Sequence, residues 1–329
     1  MNAVVRRILS RFKRFVQPIQ SDREFDALVS SVQSAQRIVI GPWTAELGSE
    51  VLYWIPFLRA ALRDITANTE IVVLSRGGSG YWYPATHTNV DLFQMFHESY
   101  WTSDLFPRLQ VEGLAMKQTR KSALDFFIRN QYAEGLWIHP EVLFSVIKPF
   151  LSGNKQAEWV IRFLKFAKSE SELPVQASSS DLEVWTKTMN ALPPRFVAVR
   201  GYARPSITRD QVTQTLRRVL TTEFKDLPIV DLSMGFSVDD HMEVVYDSAS
   251  TKPLLGVPAH LNLSMQQAII ERAEALVCSY GGTAYLGLMG GVPTHALVGD
   301  PSMYVWRHLD VARHLARECG SSITLVEAE

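Results

Sequence analysis

The chain has 329 residues, 47% of them hydrophobic and 20% charged, and a formal net charge of -1. That is globular composition with room for two domains of ~150 residues each. The near-neutral balance argues against a general nucleic-acid binder, which carries a basic domain. The two cysteines, Cys278 and Cys319, form no zinc-type spacing with histidine. No uninterrupted apolar run approaches the ~20 residues of a membrane span. These features read as a reducing, cytoplasmic protein with no structural metal.

Residues 1–20 stand apart. Arg6, Arg7, Arg11, Lys13 and Arg14 are met by no acid in the first sixteen positions, and Val4, Val5, Ile8, Leu9, Phe12, Phe15 and Val16 recur at helical spacing. Such a basic amphipathic helix suits an anionic membrane interface; its alternative is packing on its own domain with its cations solvated. Charges interrupt every candidate apolar core of a signal peptide.

An α/β pattern follows. A helical lead-in (Asp22–Ser34) precedes a short apolar strand (Arg37–Ile40) that ends at Gly41-Pro42. A helix is predicted from about Ser49 to Arg63, and a second strand over Glu70–Leu74 is ended by a Gly-rich turn. Residues 88–150 read as mostly helical and aromatic-rich. The Ser-rich stretch 169–181 marks a linker, which divides the chain into residues 21–175 and 176–329. The pattern then restarts: strand Phe196–Val199, helix Thr208–Phe224, strand Ile229–Leu232, helix Ser264–Ala273, strands Ala275–Ser279 and Thr294–Val298. Strands alternating with helices imply a parallel sheet in each half. The expectation is two Rossmann-like domains facing a cleft, with ligands at the carboxyl ends of the strands.

Four strand ends carry candidate chemistry. The loop after the first strand holds Trp43, Thr44 and Glu46, with Glu50 four residues on. Paired carboxylates that share a site push their pKa values apart, so one can act as a base; the other reading is helix-dipole partners. Arg200 and Arg204 follow the strand Phe196–Val199. Their planar donor forks match phosphate and carboxylate, unless a local acid such as Asp210 takes them. The strand Ala275–Ser279 runs through Tyr280-Gly281-Gly282-Thr283 into a helix, a turn that can offer backbone N–H groups to an anion or simply join strand to helix. Asp239, Asp240 and His241 form an acid/base set, bind ribose hydroxyls, ligate a metal, or cap a turn. His139, before Pro140 in Trp-Ile-His-Pro, either projects into the cleft or is a structural histidine at a helix start.

These residues resemble a known pattern. The run from Asn262 to Val277, then Ser279-Tyr-Gly-Gly-Thr283, then Gly291-Val-Pro-Thr294, is similar to the donor side of GT-B glycosyltransferases of the heptosyltransferase type. The set Gly41-Pro-Trp43, Glu46, Glu50, Tyr53-Trp54, Trp137–Pro140, Asp239–His241 and Ser279–Gly282 also resembles a group of bacterial proteins described as glycosyltransferases. The histidine expected shortly after the Gly turn is absent; Tyr285 and Leu286 stand in that region. The donor's identity therefore stays open.

The resemblance implies a GT-B-like, metal-independent transferase of polysaccharide or cell-envelope synthesis with no cofactor beyond its nucleotide-sugar donor. Arg200, Arg204 and Tyr280–Thr283 would hold the donor. Glu46 would be the base, with Glu50, Asp240 and His241 as further catalytic candidates. Trp43, Thr44 and His139 would line the acceptor side for a glycan or lipid-linked glycan. The alternatives are a non-catalytic nucleotide- or glycan-binding protein and a sugar-nucleotide-modifying enzyme such as an epimerase.

Overall fold

Short apolar runs such as Ile38–Ile40 and Ala275–Ser279 are buried along their whole length, as expected for parallel strands covered on both faces. A computed structural model describes residues 22–43, 46–66, 68–83, 88–95, 128–132, 134–151, 158–166, 178–234, 242–246, 250–304 and 306–328. In it the chain is α/β and builds two sheets. The first has strand order β3-β2-β1-β4 and is parallel throughout: β1 (Arg37–Ile40), β2 (Glu70–Ser75), β3 (Thr88–Asp91) and β4 (Leu136–Ile138). The second has order β10-β9-β8-β5-β6: β5 (Val197–Ala203), β6 (Ile229–Asp231), β8 (Ala275–Ser279), β9 (Thr294–Val298) and β10 (Ile323–Glu327). A short antiparallel strand, β7 (Met242–Val244), pairs with the far end of β5.

The expected fold class holds, with four additions. β3, β4, β7 and β10 carry no clear period-two signal. Two of them have only 3 residues each. β10 has no buried position and lies at a sheet edge. The strand expected to stop at Val199 continues to Ala203, because Gly201–Ala203 pair with β7.

The helices follow their local signals. α1 spans 22–34. α2 runs as α-helix over Leu47–Ser49, as π-helix over Glu50–Trp54, and as α-helix again over Ile55–Ala61. It is followed by α3 (Glu141–Leu151) and α4 (Ser179–Asn190). α4 opens on a capping box between Ser178 and Asp181. α5 (Arg209–Glu223) opens on another, between Thr208 and Gln211. α6 (Asn262–Glu271) and α7 (Gly282–Met289) are buried on nearly every side, so neither shows a polar face. α8 (Trp306–Cys319) is amphipathic and returns to the first half. There Arg307 Nη1 donates to the carbonyl of Phe150 at 3.1 Å, and Tyr53 hydrogen-bonds His308.

The sheets are separate in hydrogen bonding but not in packing. One apolar cluster includes Ile38, Ile40 and Val73 of the first sheet and Ala198, Val230 and Leu276 of the second. One close approach is between α2 and α7. A Cβ on Gly282 would stand 2.9 Å from both the Gly48 nitrogen and the Leu47 Cβ, and one on Gly48 would stand 3.1 Å from the Tyr285 ring. Overpacking such a contact typically costs ~1–3 kcal/mol. Gly282→Ala is therefore expected to lower the thermal midpoint by several degrees. An unchanged midpoint in a melting experiment would show that the halves are not held at this contact.

Candidate functional site

The carboxyl ends of β1, β5 and β8 converge where α2 meets α7. The Gly281–Gly282 turn is the hinge of this arrangement. Gly281 has φ +154°, and a Cβ there would clash with the Tyr202 hydroxyl, which itself donates to the carbonyl of Tyr280 at 3.1 Å. Gly282 lies under Leu47 and Gly48. Both glycines are thus required by the protein's own close packing. The ladder beneath them is reinforced by Ser279, whose buried hydroxyl accepts from the Tyr202 N–H at 3.0 Å and donates to the Tyr202 carbonyl at 2.8 Å.

Arg204 comes off β5 beside this turn. Its backbone is pinned: Arg204 and Ile207 exchange N–H···O bonds of 3.0 and 2.9 Å, and the Ser206 carbonyl accepts from Asp300 N–H at 2.8 Å. Its guanidinium carbon lies 4.7 Å from the Tyr304 ring centroid and 5.9 Å from that of Tyr202. Nη1 is 3.9 Å from where a Gly281 Cβ would stand. Nε and Nη2 are buried and have no hydrogen-bond partner, and neither has the buried hydroxyl of Tyr280. A guanidinium with donors to spare has the chemistry to hold an anion.

Arg200 does not join it. Its Nη1 donates to the Leu232 carbonyl at 2.6 Å, and its Nη2 pairs with Glu243 at 3.2 Å. The expected partnership of Arg200 with the turn is corrected: β7 brings Glu243 to it, and its fork joins the ends of β5 and β6. That partner comes from a strand with no sequence signature.

On the other side of the turn stands Glu46, exposed and immediately before α2. Its carbonyl accepts from Trp43 Nε1 at 3.1 Å and from Glu50 N–H at 3.2 Å. Trp43 is fully buried and stacks on Trp54 and Phe144 at centroid distances of 5.6 and 5.8 Å. The expectation that it lines an acceptor surface is corrected: it anchors the Glu46 loop from below. Glu50 is also fully buried. It accepts from Tyr83 Oη at 2.8 Å and Ser79 Oγ at 3.2 Å, and Arg76 lies 3.7 Å away. Burial pushes its carboxyl upward against the pull of Arg76 and these hydroxyls. Glu50 ties α2 to the loop after β2 and does not share a site with Glu46 by exposure. His139 accepts from the Glu141 N–H at 3.2 Å through Nδ1, which makes it the cap of α3 at the end of β4. Thr44, Asp239, Asp240 and His241 lie outside the described residues. Among the described residues no three His, Cys, Asp or Glu side chains come together as a metal-ligand set.

No family model and no curated protein matches the chain in sequence. Solved structures resemble it distantly. A family 9 glycosyl transferase from Veillonella parvula is 13% identical, covers 90% of this chain and 87% of its own, and has a TM-score of 0.47. The E. coli heptosyltransferase WaaC with ADP is 14% identical over 89% of this chain and 93% of its own, at 0.41. A UDP-GlcNAc 2-epimerase from Methanocaldococcus jannaschii is 9% identical over 88% of each chain, at 0.35.

Asp91, at the end of β3, has no motif around it. It is buried and accepts from the N–H groups of Gly78 at 2.7 Å and Phe93 at 2.9 Å. Gly78 touches Ser264 of α6, so Asp91 supports the second contact between the halves. Burial raises its carboxyl to about 7, against the hydrogen bonds and the nearby His260 that lower it. A carboxyl raised in the folded state binds its proton more tightly there than when unfolded. Its contribution is whole below about pH 4 and is lost as pH rises to about 7. Melting temperatures of Asp91→Asn and the unmodified protein should therefore converge, or cross in the variant's favour, from pH 5 to pH 8. A difference independent of pH would show that Asp91 is ionised throughout.

Proposed function

We propose that the chain is a glycosyltransferase that moves a sugar from a nucleotide-sugar to a glycan or lipid-linked glycan. The observation that carries this reading is Arg204, a cation with buried, unpartnered donors at the same turn that receives the Glu46 loop. One side of the turn thus offers charge for a phosphate, and the other an exposed carboxylate for a hydroxyl proton. The resemblance of residues 262–294 to GT-B donor regions supports the same assignment.

In this reading the donor's diphosphate lies on Arg204. Glu46 takes the proton of the acceptor hydroxyl as its oxygen bonds to the anomeric carbon. The bond from that carbon to the phosphate oxygen breaks, and the nucleoside diphosphate leaves with its charge held by the guanidinium. Arg200, already paired with Glu243, has a positioning part only. No helix among the described residues is long and apolar enough to cross a membrane. The basic residues of 1–18 would hold the protein at an anionic inner-membrane surface, near a lipid-linked acceptor.

Two tests follow from these assignments. A charge-assisted contact from arginine to phosphate contributes ~1.5–3 kcal/mol, so Arg204→Ala is expected to weaken nucleoside diphosphate binding roughly 10- to 100-fold by calorimetry. Glu46→Gln should keep that affinity and lose turnover. Unchanged affinity in Arg204→Ala would move the donor elsewhere, and turnover of a sugar nucleotide without any acceptor would favour an epimerase. Separately, deletion of residues 1–18 should release the protein from anionic liposomes at low salt, where surface charge is least screened. Full-length protein that ignores such vesicles would remove the membrane assignment.

A further inference from the structure

Asn262 opens α6, and Gln266 follows it by one turn. Both are 1% exposed. Gln266 Nε2 donates to Asn262 Oδ1 at 2.6 Å and lies 3.2 Å from the sulfur of Met234. Asn262 Nδ2 is buried and has no hydrogen-bond partner. An amide N–H buried without an acceptor is costly, and buried polar groups in native proteins nearly always find one. Asn262 is not retained as a helix cap either. α6 has no side-chain cap bond, and the N–H groups of Leu263 and Ser264 donate to the Gly77 carbonyl at 2.8 and 3.2 Å.

The position of this donor is informative. Met234 follows β6, and its N–H donates to Glu243 at 2.9 Å, the same carboxylate that pairs with Arg200. The amide therefore stands at the carboxyl edge of the second sheet, on the β6 side of β5. Arg204 lies just past the end of β5, the strand next to β6, so the two groups stand at the same edge of the second sheet.

We infer that the Asn262 amide N–H donates to an acceptor atom on the edge of the donor's nucleobase and so sets which base is accepted. This rests on the reading that the donor's phosphates lie on Arg204. Gln266 is the positioning residue: by occupying the Asn262 oxygen it fixes which end of the amide faces the ligand. Amides read base edges in this way because they offer a directed donor in a dry setting.

The test is calorimetry on the full chain with ADP, GDP, UDP, CDP and inorganic pyrophosphate. The unmodified protein should prefer one nucleotide by about tenfold or more. Asn262→Leu, which removes the donor at similar volume, should bring that nucleotide down to the level of the others and leave pyrophosphate unchanged. Asn262→Asp keeps the contact with Gln266 but has no N–H, and should lose the same preference; it carries the test if the leucine variant folds poorly. An unaltered order of affinities in these variants overturns the inference. So does an equal loss for all nucleotides and pyrophosphate, which would mark Asn262 as structural. Binding without base preference in the unmodified protein sinks the inference alone. Failure to bind any of the five ligands sinks the phosphate reading with it.

Discussion

The arrangement depends on two peptide backbones touching. Gly48 in the first turn of α2 and Gly282 in the first turn of α7 come from different halves; a Cβ would be crowded at Gly48, and at Gly282 something would have to shift. The contact fixes the Glu46 loop relative to the strand end that carries Arg204. Two groups more than 150 positions apart in the chain thereby flank a single turn. The first half also touches α6, through Gly77 and Gly78. Two contacts of this kind define an orientation as well as a distance.

The polar groups around these contacts fall into two kinds. Glu50 and Asp91 are buried and each accepts from at least two donors, and the second oxygen of Glu50 faces Arg76 at 3.7 Å. They bind loops to helices, and their cost is desolvation, which appears as raised carboxyl affinity for protons. Arg204 Nε and Nη2, Tyr280 Oη and Asn262 Nδ2 are buried atoms without a hydrogen-bond partner. The proposed donor site uses the second kind. The same distinction separates Arg200 from Arg204, which sequence alone could not do, because Glu243 reaches Arg200 from a strand too short to register.

The parallel strands were legible because they are apolar on both faces and bounded by glycine. The main helices were legible from their caps and periodicity. The Gly281–Gly282 turn was legible as special, but its purpose was not. A glycine that admits a ligand and one that admits a neighbouring backbone look identical in sequence. Trp43 shows the same limit: an aromatic residue beside a candidate base reads equally as a platform for a sugar or as a buried anchor. Asp91 carried no motif, since the Gly78 N–H that it accepts lies in the loop after a different strand.

The way α8 returns to the first half has a consequence for synthesis on the ribosome. The apolar cluster that contains Ile38 and Val73 also contains Leu309, Val311 and Leu315. The side of α2 that α8 covers, around Tyr53, therefore stays open until residues beyond 300 have emerged. At roughly 5–20 residues per second, that side waits on the order of ten seconds or more after α2 itself is made. During this interval Tyr53 and its neighbours are exposed to water and to other nascent chains.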